Sequence, residues 1–266
     1  MISLVSTKKT ELVKLLSENG VPFSVIQKAL RKRDVKVNGV RTGENVTLNQ
    51  GDEIVAYVAA APSFSVLYED ENILAVDKRK GVGSEALFAE LSARGKMYFI
   101  HRLDTNTDGV MLFAKNSAAA EALIAGFRTR AFEKYYRAEV YGFFEKESGV
   151  LRDYLVKDAD ASLVRICKTR MPGAVQIVTQ YTVLEKRQKT SVLEVKLITG
   201  KTHQIRAHLA YYGHFVIGDG KYGKESINRA MGAGKQRLTS QRIVLHFSGG
   251  PLGYLDGKII ETDRGE

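Results

Sequence analysis

Within the stretch FIHRLDTNTDG, residues 99–109, a histidine, an arginine and an aspartate fall within four positions: His101, Arg102 and Asp104. Phe99-Ile100 leads in, Val110-Met111-Leu112-Phe113 leads out, and Thr105 to Gly109 are turn formers, so the pattern predicts a hairpin. An aspartate that opens a turn ordinarily accepts from nearby backbone N–H groups. Asp104 therefore acquires a chemical role only if distant residues converge on it. Metal chemistry finds little support: His101 and Asp104 lack a third ligand in sequence, and His203 and His208, five apart, do not stack on one helical face. The segment ITGKTHQ ends in Gly-Lys-Thr like a phosphate-binding loop, but that motif needs a glycine five positions before Gly200, and Val195 stands there. KGVGSE, residues 80–85, offers glycines without the dinucleotide fingerprint and without a helix signal after them. No metal and no cofactor are expected.

Charge points to the partner. The chain has 266 residues with 40 Lys+Arg against 30 Asp+Glu, a net +10, which favours a polyanion, nucleic acid first. A hydrophobic content of 44% suits a globular protein with a real core. The single cysteine, Cys167, forms no intrachain disulfide, which fits a reducing cytoplasm. The start MISLVSTKKTELVK lacks the apolar core of a signal peptide, and no run suits a membrane span. A cytoplasmic monomer is expected.

The elements that must position these residues divide into two regions. Residues 1–60 form a small domain. Leu12, Leu15 and Leu16 have helical spacing, with Gly20 as a stop. Ser24 and Gln27 form a capping-box pattern that opens a second helix ending in Arg31-Lys32-Arg33. DVKVNGVR predicts a hairpin around Asn38-Gly39, and GDEIVAYVA another strand. Ala59 to Ser63 suit a linker. Residues 64–266 form the larger domain. SVLYEDENILAVDK reads as strand, turn, strand. NSAAAEALIAGF is a helix capped by Asn116 or Ser117. KYYRAEVYG alternates, with Tyr136, Ala138 and Val140 on one face. VQIVTQYTVLEK and SVLEVKLITG are further strands, and HQIRAHLAYYG is a helix capped by Thr202, with Ile205, Leu209 and Tyr212 on its apolar face. Many strands, few helices and no βαβ rhythm predict an α+β fold around a mixed, mostly antiparallel sheet. Residues 201–242 are basic and carry Tyr211, Tyr212 and Tyr222, types that stack on unpaired bases.

Four segments together resemble one family. HRLDTNTDGVMLFAKN is similar to the signature of the RluA-type pseudouridine synthases, which isomerise uridines in ribosomal or transfer RNA. YEDENILAVDK, EKYYRAEVYG and LITGKTHQIRAHLAYYGHFVIGDGKYG resemble further segments of that family in the same order, and RIVLHF resembles its closing strand. The front region, through its helix pair, IQKALRKRDVKVNG and GDEI, resembles an S-four-like RNA-binding domain. The resemblance implies Asp104 as the essential aspartate, Tyr136 as the active-site tyrosine and Arg206 as the arginine paired with the aspartate. It implies Arg102 as the residue that fills the space of a flipped base, and Leu245 as an apolar neighbour of the site. RNA contacts are expected from Arg31, Lys32, Arg33, Lys201 and His203. Departures are Asp108 where serine is commoner, Lys78-Arg79 for Lys-Pro, Lys201 for arginine, and His214-Phe215 for a proline-containing pair.

The implied reaction breaks the bond from ribose to nitrogen 1 of uracil and remakes it to carbon 5, with no redox change and no group donor. The base must leave its stack, which costs a few kcal/mol. A bidentate guanidinium from Arg206 would hold an aspartate anionic in a dry pocket, and Tyr136 offers an aromatic face and a hydroxyl. Ribosomal RNA of the large subunit is the expected substrate, with transfer RNA second. The alternative is a non-catalytic RNA-binding or assembly factor. Arg206→Ala is expected to reduce turnover severely while leaving the fold largely intact.

Overall fold

A computed structural model describes residues 1–19, 21, 23–58, 62–158 and 163–264. The chain divides into two compact units, Met1–Ser63 and Phe64–Glu266. Gly20 and Ala59–Ala61, the expected helix stop and most of the expected linker, lie outside the described residues.

The first unit opens with β1 (Ile2–Val5) and β2 (Thr10–Glu11), then α1 (Leu12–Glu18) and α2 (Phe23–Arg31). Strands β3 (Val35–Val37), β4 (Val40–Thr42), β5 (Thr47–Leu48) and β6 (Glu53–Ala56) follow. The sheet order is β1-β6-β3-β4, with β2 and β5 paired separately. Val37 faces Val40 across a two-residue turn, and both turn residues are left-handed, Asn38 at φ 49° and Gly39 at φ 80°. This is the geometry that Asn-Gly favours. Helix α2 begins at Phe23, so Ser24 falls inside its first turn and is not the cap that the capping-box pattern predicts. Leu12, Leu16, Ile26, Leu30, Val35 and Ile54 form the unit's own core.

The second unit begins with β7 (Phe64–Glu69), β8 (Ile73–Lys78), α3 (Ser84–Ser92), β9 (Tyr98–Phe99), β10 (Asp108–Ala114) and α4 (Ser117–Thr129). The middle is all strand: β11 (Glu133–Tyr141), β12 (Ser148–Asp158), β13 (Leu163–Cys167), β14 (Val175–Lys186) and β15 (Thr190–Leu197). It closes with α5 (Gln204–Tyr211), α6 (Glu225–Ala230), β16 (Leu238–Val244) and β17 (Ile259–Glu261). An eleven-stranded sheet runs β13-β12-β14-β15-β11-β16-β10-β8-β7, with β17 beside β16 and β9 beside β10. Only the β10–β16 pair is parallel among the described pairings. The fold is α+β on a mixed, mostly antiparallel sheet.

Both faces of the central strands are covered. Leu74, Val76, Met111 and Phe113 join Tyr136, Ala138 and Val195 in one apolar cluster. Their neighbours Ile73, Ala75, Val110 and Leu112 join Leu123 of α4 in another. Alternate residues of a strand point to opposite faces, so two-sided burial explains why these strands are written as continuous apolar runs. Asn116 caps α4, its side chain accepting from the Ala119 N–H at 2.9 Å. Helix α3 begins inside KGVGSE, at Ser84, where the sequence shows no helix signal. Helix α5 starts from His203, left-handed at φ 53°, so Thr202 is not its cap. Residues Gln204 to Leu209 are all buried, so α5 lacks the polar face that an amphipathic helix would show.

Candidate active site

The peptide that carries Asp104 is a loop, held from several sides. Strands β9 and β10 pair antiparallel, Phe99 opposite Phe113, which is the hairpin expected around the turn. Strand β9 ends at Phe99, five residues before Asp104, and β10 starts at Asp108, just after the turn, so Asp104 sits in the connection and not at a strand end. Its carbonyl accepts from the Thr107 N–H at 3.0 Å, closing a turn. The backbone thus satisfies the turn and leaves the carboxylate free to point elsewhere. Just before it, Leu103 is clamped by Ser84 at the start of α3, whose hydroxyl donates to the Leu103 carbonyl at 2.7 Å and accepts from its N–H at 3.0 Å. Below, the ammonium of Lys78, fully buried, donates to the carbonyls of Val82 (2.8 Å), Asp104 (3.3 Å) and Thr105 (3.4 Å). Burial pushes the Lys78 pKa down to about 8, against the opposing charges of Asp108, Asp104 and Asp77.

Arg206 of α5 reaches Asp104 across 102 residues of sequence, its Nη1 donating to Oδ2 at 2.6 Å. The bidentate bond goes to a different carboxylate. Arg206 Nε and Nη2 donate to Oδ2 and Oδ1 of Asp219 at 2.6 and 2.9 Å. The Nε–Nη2 edge of the guanidinium is thereby fixed, which aims Nη1 at Asp104. Asp219 is buried and also accepts the backbone N–H groups of Lys221 (2.8 Å) and Tyr222 (3.1 Å). Burial opposes its charge, but Arg206 and these donors outweigh it and hold the carboxyl below the ordinary range. Arg206 is itself raised, its two carboxylates overcoming the cost of burial.

Tyr136 stands on β11, 8% exposed, on the same apolar face as Ala138 and Val140. Burial pushes its hydroxyl up to about 12, so it is a protonated donor at neutral pH. His203 Nδ1 lies 3.0 Å from the Tyr222 hydroxyl, which accepts from the Val164 N–H. The Tyr222 proton is then available to Nδ1, leaving Nε2 to carry the proton that faces Asp104, 3.9 Å away. That separation is too long for a direct hydrogen bond. Burial holds the His203 pKa down.

Asp104, Tyr136, Arg206, Arg102, Lys201 and His203 all line one cleft of about 510 Å³. Arg102 is exposed and pairs with Glu85 at 3.1 Å. Leu245 is not brought to the cleft: it is fully buried in the cluster with Leu112 and Ile243, and Leu197 and Leu238 supply apolar lining instead. Of the three tyrosines expected to stack on bases, Tyr212 donates to buried Asp153 at 2.7 Å and Tyr222 serves His203. Tyr211 alone of the three is exposed. Arg31, Lys32 and Arg33 are exposed on the first unit. Asp219, Lys78 and Ser84 escape a reading of types and spacing. DGKYG at 219–223 looks like a turn, and nothing in it marks the aspartate that orients Arg206.

A sequence profile described as RNA pseudouridylate synthase matches residues 73–211. The ribosomal large subunit pseudouridine synthase C of Vibrio cholerae serotype O1 is 31% identical over 256 residues, covering 85% of this chain and 79% of that protein. The protein of the same name from Escherichia coli K12 is 31% identical over 260 residues, covering 86% and 81%. Among solved structures, human RNA Pseudouridylate Synthase Domain Containing 1 superposes with a TM-score of 0.62 at 26% identity, over 75% of this chain and 89% of that one. With the α+β sheet and the cleft between β11 and α5 in place, these matches make the chain a member of the RNA pseudouridylate synthase family, an RNA-uridine isomerase.

Proposed function

We propose that this chain isomerises uridines in large-subunit ribosomal RNA, with Asp104 acting at the bond between ribose and base. The observation that carries the reading is the Asp104–Arg206 contact at 2.6 Å inside a cleft with Tyr136 on its wall. The names of the curated relatives support the choice of RNA. The reaction conserves atoms: the bond from the ribose carbon to nitrogen 1 breaks, the bond to carbon 5 forms, and the proton at carbon 5 is lost as nitrogen 1 gains one. Asp104 supplies a carboxylate at the reacting sugar or base, kept in place by an arginine that Asp219 has already oriented. Such preorganisation costs no rearrangement at the moment of reaction. The Tyr136 ring packs against uracil, and its hydroxyl, protonated at neutral pH, donates. Arg102 leaves Glu85 to occupy the space of the flipped base; both partners are largely exposed, so their separation costs less than about 1 kcal/mol. Lys201 and His203 contact the nucleotide at the cleft rim. The first unit serves as an S-four-like RNA-binding domain through Arg31, Lys32 and Arg33, giving phosphate and shape contacts.

The test is release of tritium from carbon 5 of labelled uridine in a large-subunit ribosomal RNA transcript. Wild type is expected to release it, and Asp104→Asn to be slower by on the order of a thousandfold or more, the scale of removing a reacting group. Equal rates would remove Asp104 from the chemistry. Release from transfer RNA alone would move the substrate.

A further inference from the structure

Lys134 is out of keeping with its surroundings. It lies two residues before Tyr136 on β11, so both share a face of the strand, about 7 Å apart along it. Only 9% of it is exposed. Its Nζ sits 5.8 Å from the centre of the Phe127 ring and beside Gly200 on the cleft wall. Among the described residues no carboxylate and no carbonyl takes its hydrogens, whereas buried Lys78 has carbonyl acceptors for its own. The stem is buried while the ammonium reaches the cleft, so the charge is partly withdrawn from water and is matched by no anion among the described residues. Burial, then the charge of Arg130, pulls the Lys134 pKa below its usual value. Its neighbours do not compensate. His101 accepts from the Leu112 N–H at 3.0 Å and is held neutral, its pKa lowered to about 3 by burial and then by Lys134. Arg130, which ends α4 in the left-handed region at φ 61°, and Lys201 line the same cleft, and neither is paired with a carboxylate among the described residues.

We propose that Lys134, flanked by Arg130 and Lys201, is a phosphate subsite that holds the phosphodiester adjoining the uridine lodged at Asp104. The proposal rests on reading the cleft as a nucleotide site. An unpaired ammonium facing an open cleft is completed by an anion, and RNA offers one anion, its phosphate. Lys134 and Tyr136 stand one strand period apart, which is the reach from a base to a phosphate of its own nucleotide. The arrangement divides the labour on β11: Tyr136 meets the base and Lys134 the backbone.

Binding separates this from turnover. Uridine, uridine 5′-monophosphate, uridine 3′-monophosphate and inorganic phosphate are titrated into the full-length protein at low salt and followed by NMR. One of the two nucleotides should bind at least tenfold more tightly than uridine. That preference should vanish in Lys134→Gln and survive in Lys134→Arg, with Arg130→Ala weakening it as an independent variant and circular dichroism confirming each fold. Absence of binding, equal affinity of uridine and both nucleotides, or a preference untouched by Lys134→Gln overturns the subsite. Inorganic phosphate binding as tightly as the preferred nucleotide overturns its link to the uridine site. Tritium release from ribosomal RNA reports on the isomerase reading by itself, so either idea can fail alone.

Discussion

Asp219 and Asp104 share the donors of one guanidinium, and the division is unequal. Asp219 takes two N–H groups and is wholly buried, while Asp104 takes one and faces the cleft. Arg206→Ala consequently does more than disarm the site. It leaves Asp219 charged in the interior with two backbone N–H donors and no cation, a loss of up to about 3–5 kcal/mol, contrary to the sequence expectation of a largely intact fold. Urea unfolding should show that loss, and adding Asp219→Asn to Arg206→Ala should recover part of it while tritium release stays low. A wild-type midpoint for Arg206→Ala would show that Asp219 does not depend on this partner. Acid gives a second measure. The Asp219 carboxyl is held below its ordinary value of 3.8 in the folded protein, so its stabilising contribution is present above that value and lost as pH falls through the lower folded one. Below about pH 4, Asp219→Asn should therefore lose stability less steeply than wild type; parallel curves would contradict the pairing. None of this is legible in the residue types. Resemblance singles out Asp104, Tyr136 and Arg206, but the orienting carboxylate lies in an ordinary glycine-rich turn, and burial is a property of packing.

Elements explain why the Asp104 loop holds its shape. The strands, the Asn-Gly hairpin and the Asn116 cap are readable in sequence because period and turn chemistry are local. Helix α3 is not, because SEALFAELS starts from Gly83 with no side-chain cap, and its contribution to the site, Ser84 on Leu103, is tertiary. Gly109 reads as a turn former, yet it belongs to β10 at φ +103°, and a Cβ there would stand 2.1 Å from the Ser240 carbonyl oxygen. The parallel pairing of β10 with β16 needs that bare backbone. Gly109→Ala should lower stability by at least about 1–3 kcal/mol through strain alone, measured as a drop in the thermal midpoint; an unchanged midpoint would mean the two strands can separate freely. Lys78 anchors the loop from below. Its pKa is about 8 when folded against 10.5 as a free side chain. The unfolded chain thus binds more protons between those values, and stability should rise with pH across that window. Lys78→Met should abolish this rise and also slow turnover, since the Asp104 and Thr105 carbonyls lose their donor. A rise of the same size in Lys78→Met would assign it to another group.

At the scale of the whole molecule, the net charge of +10 is the feature that composition alone reveals. In the first unit Arg31 ends α2, and Lys32 and Arg33 follow it in the turn just before the β3–β4 hairpin. Arg33 is left-handed at φ 54°, and its carbonyl accepts from Arg41 at 3.0 Å. The backbone there is fixed while the charged ends remain exposed. Cations at a helix C-terminus are also favoured by the helix dipole, by about 0.3–1 kcal/mol each, so neutralising them lowers stability slightly as well as binding. The two effects separate by salt. Removing a single cation from a phosphate should reduce the slope of log affinity against log salt by roughly 0.7–0.9. Replacing all three residues by glutamine should flatten the slope by up to about 2–3 for a large-subunit ribosomal RNA transcript. The rate constant at saturating RNA should change far less than the concentration needed to reach it. A slope equal to wild type, in a variant whose circular dichroism is unchanged, would show that RNA is held by other cations and that this patch is a solvated helix end.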